Sequence, residues 1–195
     1  MKRVFIIHGW DGRPDCGWFV WLKKELSSKG FEVHLPTMPD KATPKIEKWV
    51  PYLSKVVGRA DENTYFIGHS IGCMTILRYL ETLPKDTKVG GAIFVAGWIK
   101  IDVNALEKEE AGSSEIARPW FEAPINWKKI KTHSNKFVSI FSDNDFFLPL
   151  MLKNTEIFKE KLNAKIIIEK GKGHYIENVT KQIPIVLKEF LEMQK

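Results

Sequence analysis

A chain of 195 residues with 44% hydrophobic residues and seven tryptophans suits one domain over residues 1–195 with a sizeable core, and it is too apolar for a disordered protein. The net charge of +6 comes from lysines scattered among glutamates, as in Lys23-Lys24-Glu25, with Lys128-Lys129 and Lys131 the densest cluster; this reads as a solvated face, with no nucleic-acid recognition motif and no basic helix. No run reaches the length of a membrane span, Met1-Lys2-Arg3 leads into a strand-like run too short for a signal peptide, and Cys16 and Cys73 show neither a disulfide framework nor metal spacing, so the expectation is a cytoplasmic protein with no nucleic-acid or membrane partner.

Residues 3–7 are β-rich and predict a buried parallel strand. It runs into His8-Gly9-Trp10-Asp11-Gly12, a glycine-bearing turn that His8 could orient by a side-chain hydrogen bond. Residues 15–29 predict a helix with Trp18, Trp21, Leu22 and Leu26 on its apolar side, stopped by Gly30. Residues 31–35 form a short alternating strand and 36–40 a loop. Thr43 is placed to cap the next helix, with Pro44 at its first position. Ile46, Trp49, Val50, Leu53 and Val57 give that helix its buried stripe, and Pro51 is expected to bend it.

The stretch 64–80 follows, and the rest of the chain is organised around it. An apolar run, Tyr65-Phe66-Ile67, leads to Gly68-His69-Ser70-Ile71-Gly72, and then to a helical pattern with Met74, Leu77 and Leu80 on one side. Residues 90–96 predict another buried strand, ending at Gly97-Trp98. Residues 99–135 are poorly periodic, with an acidic run at 107–110, a break at Gly112-Ser113-Ser114 and the cluster Arg118-Pro119-Trp120-Phe121. A long irregular stretch in a compact domain is usually functional or mobile, and here it would cover one sheet edge as a small lid. Residues 136–141 are a strand, followed by Ser142-Asp143-Asn144-Asp145 and Phe146-Phe147-Leu148-Pro149. A helix at 150–162, a last strand at 165–169 and the loop Gly171-Lys172-Gly173-His174 come next. Asn178 or Thr180 is placed to cap a final helix bearing Ile183, Val186, Leu187, Phe190 and Leu191.

Strand and helix alternate about six times, which builds a parallel sheet with helices on both faces. Right-handed crossovers bring the strand C-terminal ends to one edge. The loops carrying Trp10, Ser70, Trp98, Asp145 and His174 therefore leave from the same edge.

Strand, G-x-S-x-G and helix together make the nucleophile elbow of α/β-hydrolases. Ser70 would sit at the tip of a turn so tight that a Cβ at Gly68 or Gly72 would meet the neighbouring strand or helix. A serine hydroxyl is a poor nucleophile at neutral pH and needs an adjacent base. A neutral imidazole serves, provided a carboxylate orients it. In this fold the order is Ser, acid, His, and the chain offers Ser70, then Asp143 or Asp145, then His174. The backbone N–H groups of Ile71, at the helix start, and Trp10, after the first strand, are the candidate oxyanion donors. Trp98, Trp120, Phe121, Phe146 and Phe147 are candidates for an acyl pocket. No metal is expected, because H-E-x-x-H and cysteine-pair spacings are absent, and no cofactor, because P-loop and G-x-G-x-x-G patterns are absent.

The chain resembles the small serine-hydrolase family of α/β-hydrolases typified by retinoblastoma-binding protein 9. The likeness spans nearly its whole length: Gly17-Trp18-Phe19-Val20-Trp21-Leu22-Lys23-Lys24-Glu25-Leu26, Met38-Pro39-Asp40, Gly68-His69-Ser70, Arg118-Pro119-Trp120, Asp145-Phe146-Phe147-Leu148-Pro149 and Gly173-His174. In that family the acid stands four residues before the proline, which implies Asp145, with Asp143 a loop or capping residue. The resemblance implies a single-domain α/β-hydrolase without a large cap. The turn at 8–12 departs from the glycine- and asparagine-rich turn of the namesake, and its L-x-C-x-E segment has no counterpart, so no retinoblastoma-protein interaction is carried over. The expected function is hydrolysis of small carboxylic esters or related acyl compounds through an acyl-enzyme. The alternative is a binding or scaffold protein that keeps the fold with little turnover.

Overall fold

The computed structural model describes residues 1–146 and 150–195, and of Glu109 the backbone only. Among the described residues a six-stranded sheet is flanked by eight helices. In chain order these are β1 (Arg3–Ile7), α1 (Gly17–Ser27), β2 (Glu32–His34), α2 (Ile46–Val57), β3 (Thr64–His69), α3 (Ile71–Thr82), β4 (Gly91–Val95), α4 (Val103–Glu109), α5 (Ser113–Glu122), α6 (Trp127–His133), β5 (Phe137–Ser142), α7 (Met151–Leu162), β6 (Lys165–Glu169) and α8 (Pro184–Met193). The strands lie in the order β2-β1-β3-β4-β5-β6, every neighbouring pair parallel. The α/β architecture expected from the alternation is the one found.

The chain steps outward from β1 to β2, then returns to lay down β3 on the other side of β1. Strand order reverses between β1 and β3, so their C-terminal ends splay apart and leave a crevice. Trp10 leaves β1 at this crevice, and Ser70 leaves β3 at it.

The sheet is covered on both faces, as neighbouring residues of β3 show. Side chains alternate faces along a strand. The ring of Tyr65 meets Phe190 of α8 at 5.4 Å, while the next ring, Phe66, meets Tyr79 of α3 at 5.4 Å. Double coverage explains why β3, β4 and β5 are buried along their full length and read as largely apolar runs. The edge strand β2 is only half-buried. Every residue of α3 from Ile71 to Leu80 is buried, as befits a helix that is enclosed all round.

Several helix starts differ from the expectation. α2 begins at Ile46 with Lys45 as its N-cap, not at Thr43 and Pro44. The carbonyl of Pro44 is taken by the Trp120 indole N–H at 3.0 Å, and Thr43 closes a turn on Asp40. α8 likewise begins at Pro184, not at Asn178 or Thr180; Thr180 instead closes a turn on Ile176, and its carbonyl receives the N–H of Trp18. In both cases a tertiary hydrogen bond took a backbone carbonyl that the first turn of the expected helix would have used.

The stretch 99–135 is largely helical, forming α4, α5 and α6. It is anchored to α3 through Arg78, which is 7% exposed. The Arg78 guanidinium donates to the carbonyls of Trp120 (3.1 Å), Ala123 (2.5 Å) and Pro124 (2.7 Å) and pairs with Glu81 at 3.1 Å. One buried cation thus satisfies the carbonyls at the C-terminal end of α5, where no helical N–H is left to do so. Among the described residues no helix is long and apolar enough to cross a membrane.

Candidate active site

The elbow turns where β3 meets α3. Ser70 adopts φ +51° and ψ −122°, a conformation that costs a non-glycine residue on the order of 1–3 kcal/mol. The surroundings hold it there. Its N–H donates to Val95 O at 2.9 Å, and its carbonyl accepts from Cys73 N–H at 3.0 Å. A Cβ on Gly68 would lie 2.8 Å from the Cys73 backbone, and one on Gly72 would lie 2.4 Å from Ile7 O and 2.6 Å from His8 O. The first glycine lets helix approach strand, and the second lets the helix approach β1. Cys73 is buried, its thiol pushed up by desolvation, and it is a packing residue.

A cavity of about 390 Å³ opens over the elbow. Its wall includes Gly9, Trp10 and Asp11 from the turn after β1, His69, Ser70 and Ile71 from the elbow, and Trp98 after β4. Ile101, Leu106, Glu110 and Ser113 come from the α4–α5 region, so that region does cover this edge. The far wall is His174, Ile176, Glu177 and Asn178. Ser70 is 9% exposed, and its hydroxyl has no hydrogen-bond partner among the described residues.

The ring Nδ1 of His174 lies 2.8 Å from Asp145 Oδ2, with both side chains buried. A carboxylate oxygen accepts, so Nδ1 carries the hydrogen; in the neutral ring the basic lone pair is then on Nε2. The His174 loop is pinned from the β5 side. Asp143 Oδ1 accepts from Gly171 N–H at 2.9 Å, Ser142 Oγ from Lys172 N–H at 2.8 Å and Asn144 Oδ1 from Gly173 N–H at 2.8 Å. The two carboxylates left open by the residues alone are thereby told apart: Asp143 ties the loop backbone, and Asp145 reaches the imidazole. Tyr175 adds two further ties, its hydroxyl at 2.9 Å from Phe141 O and 3.0 Å from Glu169 Oε2.

His69 was not singled out by its sequence context, yet it is buried at the centre of the site. Its Nε2 lies 2.8 Å from His174 O. The acceptor is a carbonyl, so Nε2 is the donor, and the ring is neutral with Nδ1 unpartnered. Desolvation, then the nearby His174 ring, lowers its pKa from 6.5 to about 3. His8, expected to orient its turn, bonds Gly9 O at 2.7 Å through Nδ1 and accepts from Met38 N–H at 2.9 Å through Nε2. Burial lowers its pKa too.

The first turn places Trp10 on the cavity wall, its indole N–H donating to Ala42 O at 2.9 Å. Ile71 is the first residue of α3, so its N–H has no acceptor within the helix. Of the aromatic candidates, Trp98 lines the cavity. Trp120 does not: it is fully buried against Trp49 and bonds Pro44 O. Phe121 packs half-buried against the core, and Phe146 is 54% exposed; neither lines the cavity. Phe147 lies outside the described residues. The apolar wall is supplied instead by Ile101, Leu106 and Ile176, isolated aliphatics in stretches of sequence that carry no periodic signal. Among the described residues no group of histidine, cysteine and carboxylate side chains could hold a metal ion.

Comparison with known proteins gives the family and the fold. Residues 4–188 match the model of the family described as serine hydrolase. Serine hydrolase RBBP9 of Rattus norvegicus is 30% identical over 176 residues, 90% of this chain and 87% of that protein. The YdeN protein of Bacillus subtilis is 29% identical over 177 residues, 91% of this chain and 87% of its own length. The crystal structure of YdeN superposes with a TM-score of 0.87 over 99% of this chain and 98% of that one, at 28% identity. At the level of fold alone, a carboxylesterase structure from the thaumarchaeon Nitrososphaera gargenis superposes with a TM-score of 0.72 at 16% identity, over 98% of this chain and 90% of that one.

Proposed function

The chain belongs to the serine hydrolase family, and from that premise we propose that it is a carboxylesterase acting on small acyl esters, with Ser70 as nucleophile, His174 as general base and Asp145 as the acid that orients it. The observation that supports this most is the buried His174–Asp145 hydrogen bond of 2.8 Å beside a cavity that Ser70 also lines.

Ser70 Oγ attacks the ester carbonyl carbon as its proton passes to His174 Nε2. The carbonyl electron pair moves onto oxygen, and the N–H groups of Trp10 and Ile71 hold that oxyanion. Asp145 accepts from Nδ1–H and stabilises the imidazolium. Collapse of the tetrahedral intermediate expels the alcohol, which takes the proton from His174. Water then gives a proton to His174 and attacks the acyl-enzyme, and the carboxylic acid and Ser70 are released. The Ser70–His174 hydrogen bond forms on substrate binding, as catalytic bonds commonly close only in the occupied site. A reducing, cytoplasmic setting fits the two free thiols, Cys16 and Cys73.

The test is turnover of p-nitrophenyl acetate and butyrate, with Ser70→Ala as control and a fluorophosphonate probe as reporter. The reading requires activity that Ser70→Ala abolishes and labelling at Ser70. Wild-type rates in Ser70→Ala, or an unlabelled Ser70, overturn it.

A further inference from the structure

Residues 170–183 join β6 to α8 with neither helix nor strand, and His174 stands within them. The bonds from Ser142, Asp143 and Asn144 tie this loop as far as Gly173 N–H. Beyond that point its main chain is gripped by the start of α1. Gly17 adopts φ +57°, and a Cβ there would lie 2.0 Å from Glu177 O and 2.9 Å from Thr180 O. Only a residue without a side chain lets the helix start press so closely on the loop. The backbone N–H of Trp18 donates to Thr180 O at 3.0 Å, and its indole N–H donates to Tyr175 O at 2.9 Å. Arg13 N–H donates to Glu177 Oε1 at 2.6 Å.

The Trp18 side chain is fully buried, and its one polar atom bonds the residue that follows His174. His69 Nε2–H takes the carbonyl of His174 itself. Two consecutive carbonyls are thus each held by a buried ring N–H, one from β3 and one from α1. Between them Tyr175 adopts φ +54°, in the left-handed region that a bulky residue seldom enters. A chain kinked in this way and held at both carbonyls has little freedom to turn, and the direction of the His174 side chain is set with it. The two donors also meet, the Trp18 and His69 rings standing edge-to-face at 5.8 Å.

We propose that Trp18 is a positioning residue for the hydrolysis, its indole N–H holding the His174 loop so that the imidazole stays between Asp145 and Ser70. The proposal rests on the esterase reading and adds to it a residue outside the cavity lining. A buried indole bonded to any core carbonyl would stabilise the fold. Bonding Tyr175 O in particular also fixes a catalytic group, and a misplacement of about 1 Å there costs up to about 100-fold in rate.

Trp18→Phe keeps a buried ring and removes the donor. Trp21→Phe is the control, on the same helix and half-buried, with an indole N–H that finds no acceptor among the described residues. On p-nitrophenyl butyrate Trp18→Phe is expected to lower kcat about tenfold or more, with KM within about twofold of wild type. Trp21→Phe is expected to leave both near wild type. The second readout is independent of turnover: the tautomer of His174, read by NMR from the ring nitrogens of protein with isotopically labelled histidine. The spectra are taken at about pH 8, where an ordinary imidazole is neutral, and His174→Gln assigns the signals. Wild type is expected to hold the Nδ1–H form, and Trp18→Phe to bring the two nitrogen signals together as the ring slips from Asp145 and the tautomers interchange. A kcat or a tautomer signal unmoved in Trp18→Phe, or an equal fall in Trp21→Phe, overturns the proposal, even where thermal unfolding finds Trp18→Phe less stable. If the wild type cleaves no ester, the esterase reading fails and the tautomer alone decides the positioning role. Should Trp18→Phe not fold, both measurements pass to protein carrying benzothienylalanine in place of Trp18, where sulfur replaces the N–H within the same ring outline.

Discussion

The ring Nε2–H of His69 donates to the main-chain carbonyl of His174 at 2.8 Å. The residue immediately before Ser70 therefore holds the backbone of the loop that carries the imidazole. The two rings stand 5.1 Å apart between centroids, and Trp18 and Phe19 close on His69 edge-to-face. Elbow and histidine loop, 105 residues apart in sequence, are tied by one buried side chain. His69→Phe keeps a ring and loses the donor. The expected result is a fall in kcat on p-nitrophenyl butyrate of about 10–100-fold with KM nearly unchanged, the signature of a displaced catalytic group. His69→Asn, which can donate again, recovers part of the loss. Equal kcat in all three proteins would contradict a positioning role.

The same burial makes stability depend on pH in a definite direction. His69 has a folded pKa of about 3 against 6.5 for the free side chain. Below pH 6.5 the unfolded chain binds a proton that the folded chain refuses. The contribution is therefore fully present above pH 6.5 and is lost as pH falls from there toward 3, by up to ~1.4 kcal/mol per pH unit. Burial of His8 acts in the same direction. Urea unfolding at intervals across this window should show a shallower decline for His69→Asn than for wild type. A decline of the same slope in both would refute the assignment.

Asp143 and Asp145 make a paired comparison within one loop. Asp145→Asn presents an amide to His174 Nδ1 and is expected to lower kcat by roughly 10³–10⁴-fold, because the ring tautomer is no longer enforced. Asp143→Asn keeps an oxygen for Gly171 N–H, now held at 2.9 Å, and is expected to change kcat by no more than about threefold, as for a loop bond whose acceptor survives. Steady-state rates on p-nitrophenyl acetate decide it, and the reverse order would move the acid to Asp143.

Gly72→Ala would set a methyl group 2.4 Å from Ile7 O and 2.6 Å from His8 O. Backbone atoms of a central strand cannot swing aside as a side-chain end can. The expected loss is at least ~1–3 kcal/mol of stability, the cost of overpacking a filled core. Thermal unfolding reads this directly, and an unchanged Tm would mean that β1 and α3 do not approach as closely as described.

Arg78→Met retains the aliphatic stem and removes the donors that hold three carbonyls at the end of α5. A loss of about 2–4 kcal/mol is expected for stranding several buried acceptors together with Glu81. Hydrogen exchange should rise first at residues 113–133, the segment that Arg78 anchors. Uniform exchange across the chain, with no local increase there, would argue against the anchor.

The alternation of apolar runs and amphipathic helices made the parallel sheet readable, because hydrophobic period reports on each element by itself. That Ser70 and His174 would line one cavity was readable for a related reason: a G-x-S-x-G turn between strand and helix and a glycine-rich loop after the last strand are local patterns with a required context. The helices do not start at Thr43 or at Asn178 or Thr180, because partners from distant segments, Trp120 and Trp18, take backbone carbonyls there. Trp120 and Phe121 looked like pocket residues from their clustering, but an aromatic side chain beside an irregular segment packs into the core just as readily. The segment 99–135 hid its helices because α4 and α6 span only seven residues each, too few for a period to show.

By itself the amino-acid order determined the layer architecture and which residue types arrive at the strand ends. Only the folded chain decided that Asp145 rather than Asp143 meets the imidazole, that His69 grips the loop behind it, and that Glu177 takes the Arg13 N–H at the cavity that Ser70 also lines. Those are contacts between segments up to 164 residues apart, and they depend on angles and distances of closure that no local pattern encodes.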